Sequence, residues 1–139
     1  MIARALRFAF SRKGLAVASI ARRAKRAGED WYPVRVTGIS MVPTLRPGDL
    51  LAVRFPQGRE PRVGQVVVAS TDRRELVKRV VAVPGERFRD GVLGEDEFWL
   101  EGDNTRSSTD SRAIGPVHRR DIMGVVRMRY WPPQRARLF

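Results

Sequence analysis

The sequence contains no cysteine, a single histidine and only three lysines among 139 residues. Without cysteine there is no disulfide bond, thiolate metal site or cysteine nucleophile. The single histidine, His118, disfavours a metal site built from imidazoles, and we expect no metal or other cofactor. Long apolar runs are also missing: the longest uncharged run of the N-terminal part covers residues 14–21, whereas a membrane-spanning helix needs about 20 apolar residues. These absences predict a protein that stays in the cytoplasm.

Positive charge is concentrated at the N-terminus. The whole chain has 27 Lys and Arg against 15 Asp and Glu, which gives a net charge of +12. Residues 1–27 hold eight of the basic residues and no acidic one, so the rest of the chain is only mildly basic. A polyanionic partner is therefore expected to bind this N-terminal part and not the body, and we expect no specific nucleic acid.

Residues 2–26 have the periodicity of an amphipathic helix, and we divide the chain into a basic helical arm, residues 1–28, and a body, residues 29–139. The apolar side of the helix carries Ile2, Leu6, Phe10, Val17, Ile20 and Ala24, and the basic side carries Arg4, Arg12, Arg22, Arg23 and Arg26. Two interpretations stay open. Either the helix lies on an anionic membrane surface, or it packs on its own domain or extends as a loose basic arm.

The body has the pattern of a mainly β, antiparallel structure with one modest core. Short runs rich in β-branched and aromatic residues alternate with turn signals such as Pro84-Gly85; the runs are residues 34–37, 50–54, 65–70, 76–83, 98–101 and 123–130. Strands at this short spacing indicate a small coiled sheet or barrel. No second helix is predicted, and the tail, residues 132–139, is predicted to be irregular.

Lys78 is the only lysine of the body and lies on one of the predicted strands. On a strand it shares a face with Leu76, Val80 and Ala82. If that face is the core side, loss of solvation lowers the pKa of the amine from about 10.4 and lets a neutral lysine act as a base. The opposite face is equally apolar, so the strand pattern alone leaves the direction of Lys78 open.

Ser40 lies between a predicted strand and a turn. A nucleophilic serine needs an exposed hydroxyl on a tightly held backbone, with N–H groups aimed at the developing oxyanion. Gly38 permits close approach of a substrate, and Pro43 stiffens the segment that follows. Taken alone, a serine at such a junction is typical of an ordinary turn.

Together with Lys78 and a third segment, Ser40 completes a pattern that resembles signal peptidase I. The first box is Gly38-Ile39-Ser40-Met41-Val42-Pro43-Thr44-Leu45 with Gly48-Asp49; the second is Val77-Lys78-Arg79-Val80 with Pro84-Gly85; the third is Gly102-Asp103-Asn104 with Ser108, Asp110-Ser111-Arg112 and Gly115. The three boxes occur in the family's order, and the resemblance covers about residues 34–132. It implies the coiled-sheet protease fold shared by signal peptidases and LexA-type proteins.

The resemblance gives a role to each matching position. Ser40 would attack the scissile carbonyl, and Lys78 would take its proton and return it to the leaving amine. Ser108 matches the serine that orients the base. Gly38 stands where some members carry a serine that helps the oxyanion hole, so the oxyanion would rely on backbone N–H groups, chiefly that of Ser40. The residues expected to hold the third box in shape are Asp103, Asn104, Asp110 and Arg112.

Within this family, a short chain without a membrane anchor looks most like the proteases that mature nickel-type superoxide dismutase. Only 23 residues separate Lys78 from Gly102, which leaves no room for the large accessory domain of many signal peptidases. The implied partner is a precursor protein whose N-terminus is trimmed to expose nickel-binding residues. The alternative is a signal peptidase, peripheral on the membrane, that cleaves exported preproteins.

The same residues are compatible with other kinds of protein. His118 with Asp110 or Asp121 could form a Ser-His-Asp triad with Ser40, although its polar surroundings are typical of a surface histidine. Self-cleaving LexA-type proteins share the Ser-Lys chemistry but lack the third box. An inactive protease-fold module could bind an anionic membrane or nucleic acid through the arm, but the body has no basic–aromatic stacking platform.

Overall fold

The computed structural model describes residues 17–72 and 74–139. In chain order its elements are helix α1 (Val17–Arg26), β1 (Trp31–Arg35), β2 (Leu50–Arg54), β3 (Val66–Ser70), β4 (Glu75–Ala82), β5 (Arg87–Phe88), β6 (Gly91–Val92), β7 (Glu97–Glu101), helix α2 (Ser111–Ile114), β8 (Val117–His118), β9 (Ile122–Trp131) and β10 (Arg137–Leu138). The mainly β, antiparallel fold expected from the sequence is confirmed.

One curled antiparallel sheet forms the body, with strand order β1-β2-β9-β3-β4-β7-β8 and with β10 paired to β9 beside this path. Strand β9 is the last long strand of the chain, yet it lies inside the sheet and pairs with β2 on one side and β3 on the other. Among the strand pairs of the described residues, β9 alone connects the pair β1–β2 with the group β3–β4–β7. The two shortest neighbouring strands, β5 and β6, form a separate hairpin.

Alternating apolar side chains build the core. One cluster of buried residues includes Tyr32, Leu51 and Val66, and a second includes Phe98 and Leu100. Each such side chain contributes roughly 1.5–3 kcal/mol when it is fully removed from water. Because both clusters are supplied mainly by strands of the one sheet, its register determines which side chains point inward.

The described part of the basic arm packs on the body. In α1 the side chain of Ala21 is buried in the core cluster, and Val17, Ile20 and Ala24 pack against the same cluster. The apolar side of α1 is therefore covered by its own domain, while the basic residues, such as Arg22, face outward. The predicted helical residues 2–16 lie outside the described residues. Within residues 17–72 and 74–139, no helix has both the length and the apolar character needed to cross a bilayer.

Two expectations about regular structure were wrong. The tail is ordered: Pro133–Arg135 forms a 3-10 turn, and β10 pairs with residues 128 and 129 of β9. A second helix also exists, the four-residue α2, capped by the carboxylate of Asp110. Both elements are too short to show a periodic pattern in the sequence. β10 forms by pairing with β9, and α2 is capped by Asp110.

Candidate active site

Ser40 and Lys78 meet although 38 positions separate them in the sequence. Ser40 lies in the loop between β1 and β2, and Lys78 lies in the middle of β4. Lys78 Nζ and Ser40 Oγ are 2.5 Å apart, and the ammonium form donates to the hydroxyl oxygen. When the amine is neutral, the same short distance lets it accept the hydroxyl proton.

The core side of β4 is the side that carries Lys78. Leu76, Lys78, Val80 and Ala82 are all buried, and only 4% of Lys78 is exposed. Burial lowers the pKa of Lys78 below its ordinary value, an effect that the charge of Asp110 opposes. The orientation that the strand pattern left open is thus the one that favours a neutral amine.

The third box holds the backbone around Ser40. We name residues 36–49, the loop between β1 and β2, the serine loop. Strand β7, which pairs with β4, ends at Glu101 and delivers the next residues beside Ser40. The Asn104 backbone N–H donates to the Ser40 carbonyl at 2.8 Å, and Asn104 Nδ2 donates to the Ile39 carbonyl at 3.1 Å. Asn104 therefore holds the backbone carbonyls of both Ile39 and Ser40.

Asp103 links the same loop to β4. It accepts two hydrogen bonds from the Arg79 guanidinium, at 2.8 and 2.6 Å, and one from Thr44 Oγ1 at 2.6 Å. The bond from Arg79, opposed by burial and assisted by Thr44, lowers the pKa of Asp103. The sequence alone gave no role to Arg79 or Thr44, although Thr44 belongs to the first box and Arg79 to the second. The forked ion pair fixes the end of the serine loop against the strand that carries Lys78.

Asp110 is the buried acceptor at the centre of the third box. Its carboxylate is fully buried and accepts from the Gly102 N–H at 2.8 Å, from Ser108 Oγ at 2.7 Å and from the Arg112 guanidinium at 2.6 and 2.9 Å. Burial alone would raise the pKa of Asp110, but these hydrogen bonds outweigh it and hold the pKa below its ordinary value. The group therefore stays ionised near the amine.

Gly102 is the point of closest approach between the third box and the nucleophile. A Cβ atom at this position would lie 2.5 Å from the Ser40 carbonyl oxygen and would overlap the side chain of Ser108. Only glycine fits there without displacing one of them. Gly102 belongs to the third box, but the sequence assigned it no function. Its close approach to Ser40 is a tertiary contact that the sequence does not show.

A family model described as "Signal peptidase, peptidase S26" matches residues 27–93 and 87–131 of the chain. The chain belongs to the signal peptidase family. Membership makes it a serine-type peptidase. Among its relatives, mitochondrial inner membrane protease subunit 1 of Schizosaccharomyces pombe is 34% identical over 136 aligned positions, which cover 85% of this chain and 85% of that protein.

Two further relatives show how far the similarity extends. Mitochondrial ATP-independent inner membrane protease subunit 1a of Arabidopsis thaliana is 33% identical over 117 positions, 71% of this chain and 70% of that protein. Signal peptidase I of Bacillus caldolyticus is 32% identical over 142 positions, 70% of this chain and 78% of that protein. None of these three names concerns superoxide dismutase, so the maturation subgroup stays a prediction.

His118 is hydrogen-bonded to a residue other than those that a Ser-His-Asp triad would need. His118 Nδ1 lies 3.2 Å from Asp96 Oδ2, and the side chains of His118 and Asp96 are 41% and 52% exposed. Neither Asp110 nor Asp121 is hydrogen-bonded to His118 in the part of the chain that the structure describes. Ser40, for its part, pairs with Lys78, so the hydrogen bonds do not form a Ser-His-Asp chain.

The hydrogen bond of Ser108 goes to Asp110 and not to the amine of Lys78. Its hydroxyl donates to Asp110 Oδ2 at 2.7 Å, and no hydrogen bond joins Ser108 to Lys78 within the described residues. A role in orienting the base, which the resemblance implies, stays a prediction. If it exists, it acts through Asp110 and through the contact at Gly102.

The Ser108→Ala variant tests that role. We expect kcat to fall about 10-fold, equivalent to about 1.4 kcal/mol, because one hydrogen bond to Asp110 is lost while the base and nucleophile are kept. KM should stay at the wild-type value. A matched Ser107→Ala variant in the same exposed loop should keep full activity, and an unchanged kcat for Ser108→Ala would contradict the role.

Arg112 is expected to influence the pH range in which the enzyme works. Burial is the main cause of the lowered pKa of Lys78; the charge of Asp110 raises that pKa, and the charge of Arg112 lowers it. In Arg112→Gln the pKa of Lys78 should rise, so kcat should reach its plateau at higher pH than in the wild type. The control is Arg106→Gln, which removes the same charge from an exposed position. The dependence of kcat on pH in this variant should be that of the wild type. An unshifted Arg112→Gln profile would refute the expectation.

Proposed function

We propose that the chain is an endopeptidase that removes an N-terminal segment from a precursor protein, with Ser40 as nucleophile and Lys78 as general base. The observation that carries the proposal is the 2.5 Å separation of Lys78 Nζ and Ser40 Oγ, with the amine buried. A lowered pKa supplies the neutral amine that such a base needs. Membership of the signal peptidase family supports the reaction class.

In the proposed first step, neutral Lys78 takes the proton of Ser40 Oγ as that oxygen bonds to the scissile carbonyl carbon. The carbonyl becomes a tetrahedral oxyanion, and the Lys78 ammonium then gives its proton to the departing amine as the C–N bond breaks. In the second step Lys78 takes a proton from water, whose oxygen attacks the ester on Ser40. The ester bond breaks, Ser40 recovers its proton from Lys78, and the new C-terminal carboxylate leaves.

The oxyanion in this scheme faces backbone N–H groups. The Ser40 N–H has no acceptor among the described residues, so it is available as a donor. Gly38 contributes no side-chain hydroxyl, and a Cβ atom built there would meet nothing within 4 Å, so the approach to the serine is open. A single donor of this kind contributes about 3 kcal/mol to stabilisation of the transition state.

For the substrate we propose the precursor of a nickel-type superoxide dismutase, which the short segment between Lys78 and Gly102 and the sequence of the third box favour. A second candidate is an exported preprotein, which the names of the relatives favour, since these proteins are signal peptidases or inner membrane proteases. The two differ in their cleavage products and in whether a membrane is involved.

Incubation with each precursor, followed by mass measurement of the new N-terminus, tests the function. We expect one defined cut that releases the N-terminal segment, and no cut by the Ser40→Ala protein. Cleavage of the dismutase precursor alone identifies the first substrate, and cleavage of the exported precursor alone identifies the second. If neither is cut, while an unrelated protein is cut at many positions, the proposal of limited processing is wrong.

We further propose a cytoplasmic location. The alternative is peripheral association with an anionic membrane, which the basic outward side of α1 favours. Cosedimentation with vesicles that contain phosphatidylserine, at low and high salt, distinguishes the two. Because α1 is part of the core, the suitable variant is Arg22→Gln with Arg26→Gln, and not deletion of the helix. Loss of salt-sensitive binding in that variant supports the membrane alternative, and absence of binding in the wild type supports the cytoplasm.

A further inference from the structure

A second cluster of charged side chains lies at the other end of the serine loop, apart from the base. It consists of Asp49, Arg129 and Arg135, which we name the positioning cluster. Asp49 and Arg129 are almost fully buried, with 1% and 6% of each residue exposed. The guanidinium of Arg135 binds both oxygens of Asp49, at 2.9 and 3.2 Å, and Arg129 Nη1 lies 3.4 Å from Asp49 Oδ2.

The positioning cluster is bonded to the backbone of the segment that carries Ser40. Arg129 Nη1 donates to the Thr44 carbonyl at 2.6 Å, and Asp49 Oδ2 accepts from the Arg46 backbone N–H at 2.9 Å. Arg129 Nε also donates to the Arg135 carbonyl at 2.5 Å. One buried guanidinium therefore joins the serine loop to the segment that follows β9.

Thr44 is held from two directions. Its carbonyl accepts from Arg129, and its hydroxyl donates to Asp103, which is itself paired with Arg79 on β4. The loop from Ser40 to Thr44 is thus fixed at its far end to β9 and to β4 at the same time. A shift of Thr44 would be transmitted over a few residues to Ser40 Oγ, because Leu45 N–H is bonded to the Met41 carbonyl at 2.9 Å within this turn.

Buried ion pairs contribute little net stability compared with apolar side chains of similar size. A cluster of one carboxylate and two guanidiniums inside the protein is therefore poorly explained by stability alone. What it provides is geometry, because the planar guanidinium has several donors at fixed angles and reaches a carboxylate and two carbonyls at once. Proton transfer between a base and a nucleophile is sensitive to displacements well below 1 Å.

We propose that Asp49, Arg129 and Arg135 act as positioning residues that hold the serine loop at the distance from Lys78 that proton transfer needs. The proposal rests on the proposed function, in which Ser40 and Lys78 carry the reaction. It predicts that loss of a cluster member lowers kcat and leaves KM and the pH midpoint unchanged, because neither the substrate contacts nor the pKa of Lys78 depends on the cluster.

The variants Arg135→Ala and Arg129→Lys test this, with kcat, KM, the pH profile and the melting temperature measured on the precursor that the wild type cleaves. Arg135 is the milder site, because 27% of its side chain is exposed and Arg129 still pairs with Asp49 in its absence. We expect kcat to fall about 10-fold for Arg135→Ala and about 100-fold for Arg129→Lys, whose amine cannot bind all three acceptors.

Arg119→Ala is the matched control, because Arg119 forms an exposed ion pair with Glu60 at 2.6 Å and contacts neither the serine loop nor the positioning cluster. It should keep the wild-type kcat. Guanidinium ion, added far below denaturing concentrations, should restore part of the activity of Arg135→Ala by occupying the vacated place, whereas methylammonium should not. A purely structural role of Arg135 would give no such rescue.

These measurements distinguish failure of the positioning cluster from failure of the proposed function. A lowered kcat in folded Arg135→Ala, with KM and the pH midpoint kept and with guanidinium rescue, supports the positioning cluster. An unchanged kcat, or a loss that disappears on cooling in proportion to the fraction folded, overturns it. If Ser40→Ala retains proteolysis, the proposed function itself is wrong; if Ser40→Ala is inactive and Arg135→Ala is fully active, only the positioning cluster is wrong.

Discussion

Replacement of Ser40 by alanine is expected to abolish processing of the precursor, with kcat lowered by at least about 10⁴-fold. The hydroxyl oxygen is the atom that would bond to the scissile carbonyl, and it lies 2.5 Å from Lys78 Nζ. No other hydroxyl in the described residues is hydrogen-bonded to that amine. Mass measurement of the products after long incubation is the appropriate readout, because residual cleavage would be slow.

The fold should tolerate this change. Ser40 is only partly buried and holds its neighbours through its backbone carbonyl, which alanine keeps. A melting temperature close to that of the wild type, together with binding of uncut precursor, would show that chemistry alone is lost. Proteolysis at a near-normal rate by folded Ser40→Ala would assign the nucleophile to another residue.

Replacement of Lys78 by arginine should be as damaging as loss of the serine. A guanidinium remains protonated throughout the accessible pH range, so it can donate to Ser40 but cannot accept its proton. We expect no turnover by Lys78→Arg up to alkaline pH, whereas wild-type kcat should rise with pH as the amine of Lys78 deprotonates. Measurable turnover by Lys78→Arg would mean that residue 78 contributes its positive charge and does not act as the base.

Lys78→Met is the matched control for folding, because methionine fills a similar volume without a charge. Burial lowers the pKa of Lys78 in the folded protein below the 10.5 of an ordinary lysine. Between the two values the unfolded chain binds more protons than the folded one, so the free energy of unfolding should rise with pH in that window. Lys78→Met should lose this pH dependence, be inactive, and melt no lower than the wild type at neutral pH.

The sheet was largely predictable because its signals are local. Residues 50–54 are apolar or β-branched up to Arg54 and coincide with β2, and residues 98–101 lie within β7. The direction of Lys78 was not predictable, since both faces of β4 are apolar. It is decided by the packing of the folded chain, which buries Leu76, Lys78, Val80 and Ala82 and leaves the alternate residues of β4 partly exposed. The tail was missed because β10 has two residues and exists only through its pairing with β9.

The three boxes identified the residues around the dyad, but the bonds between them had no sequence signal. Thr44 and Asp103 are 59 positions apart, and Asp49 and Arg135 are 86 apart. Arginine is also too frequent in this chain for any one guanidinium to be distinctive. Asp49 did have a local signal, since it follows Gly48 in a turn and precedes the apolar residues 50–53 of β2. A carboxylate buried at such a place needs a cationic partner.

The place of β9 in the sheet determines when during biosynthesis the enzyme can begin to cut. Ser40 is carried by the β1–β2 part and Lys78 by the β3–β4–β7 part, and β9 is the strand that pairs with both. Until residues 122–131 have left the ribosome, no strand pairing joins the two parts of the sheet, although loop contacts around Ser40 also connect them. We therefore expect a nascent chain that lacks this strand to be inactive, and activity to appear when β9 is inserted.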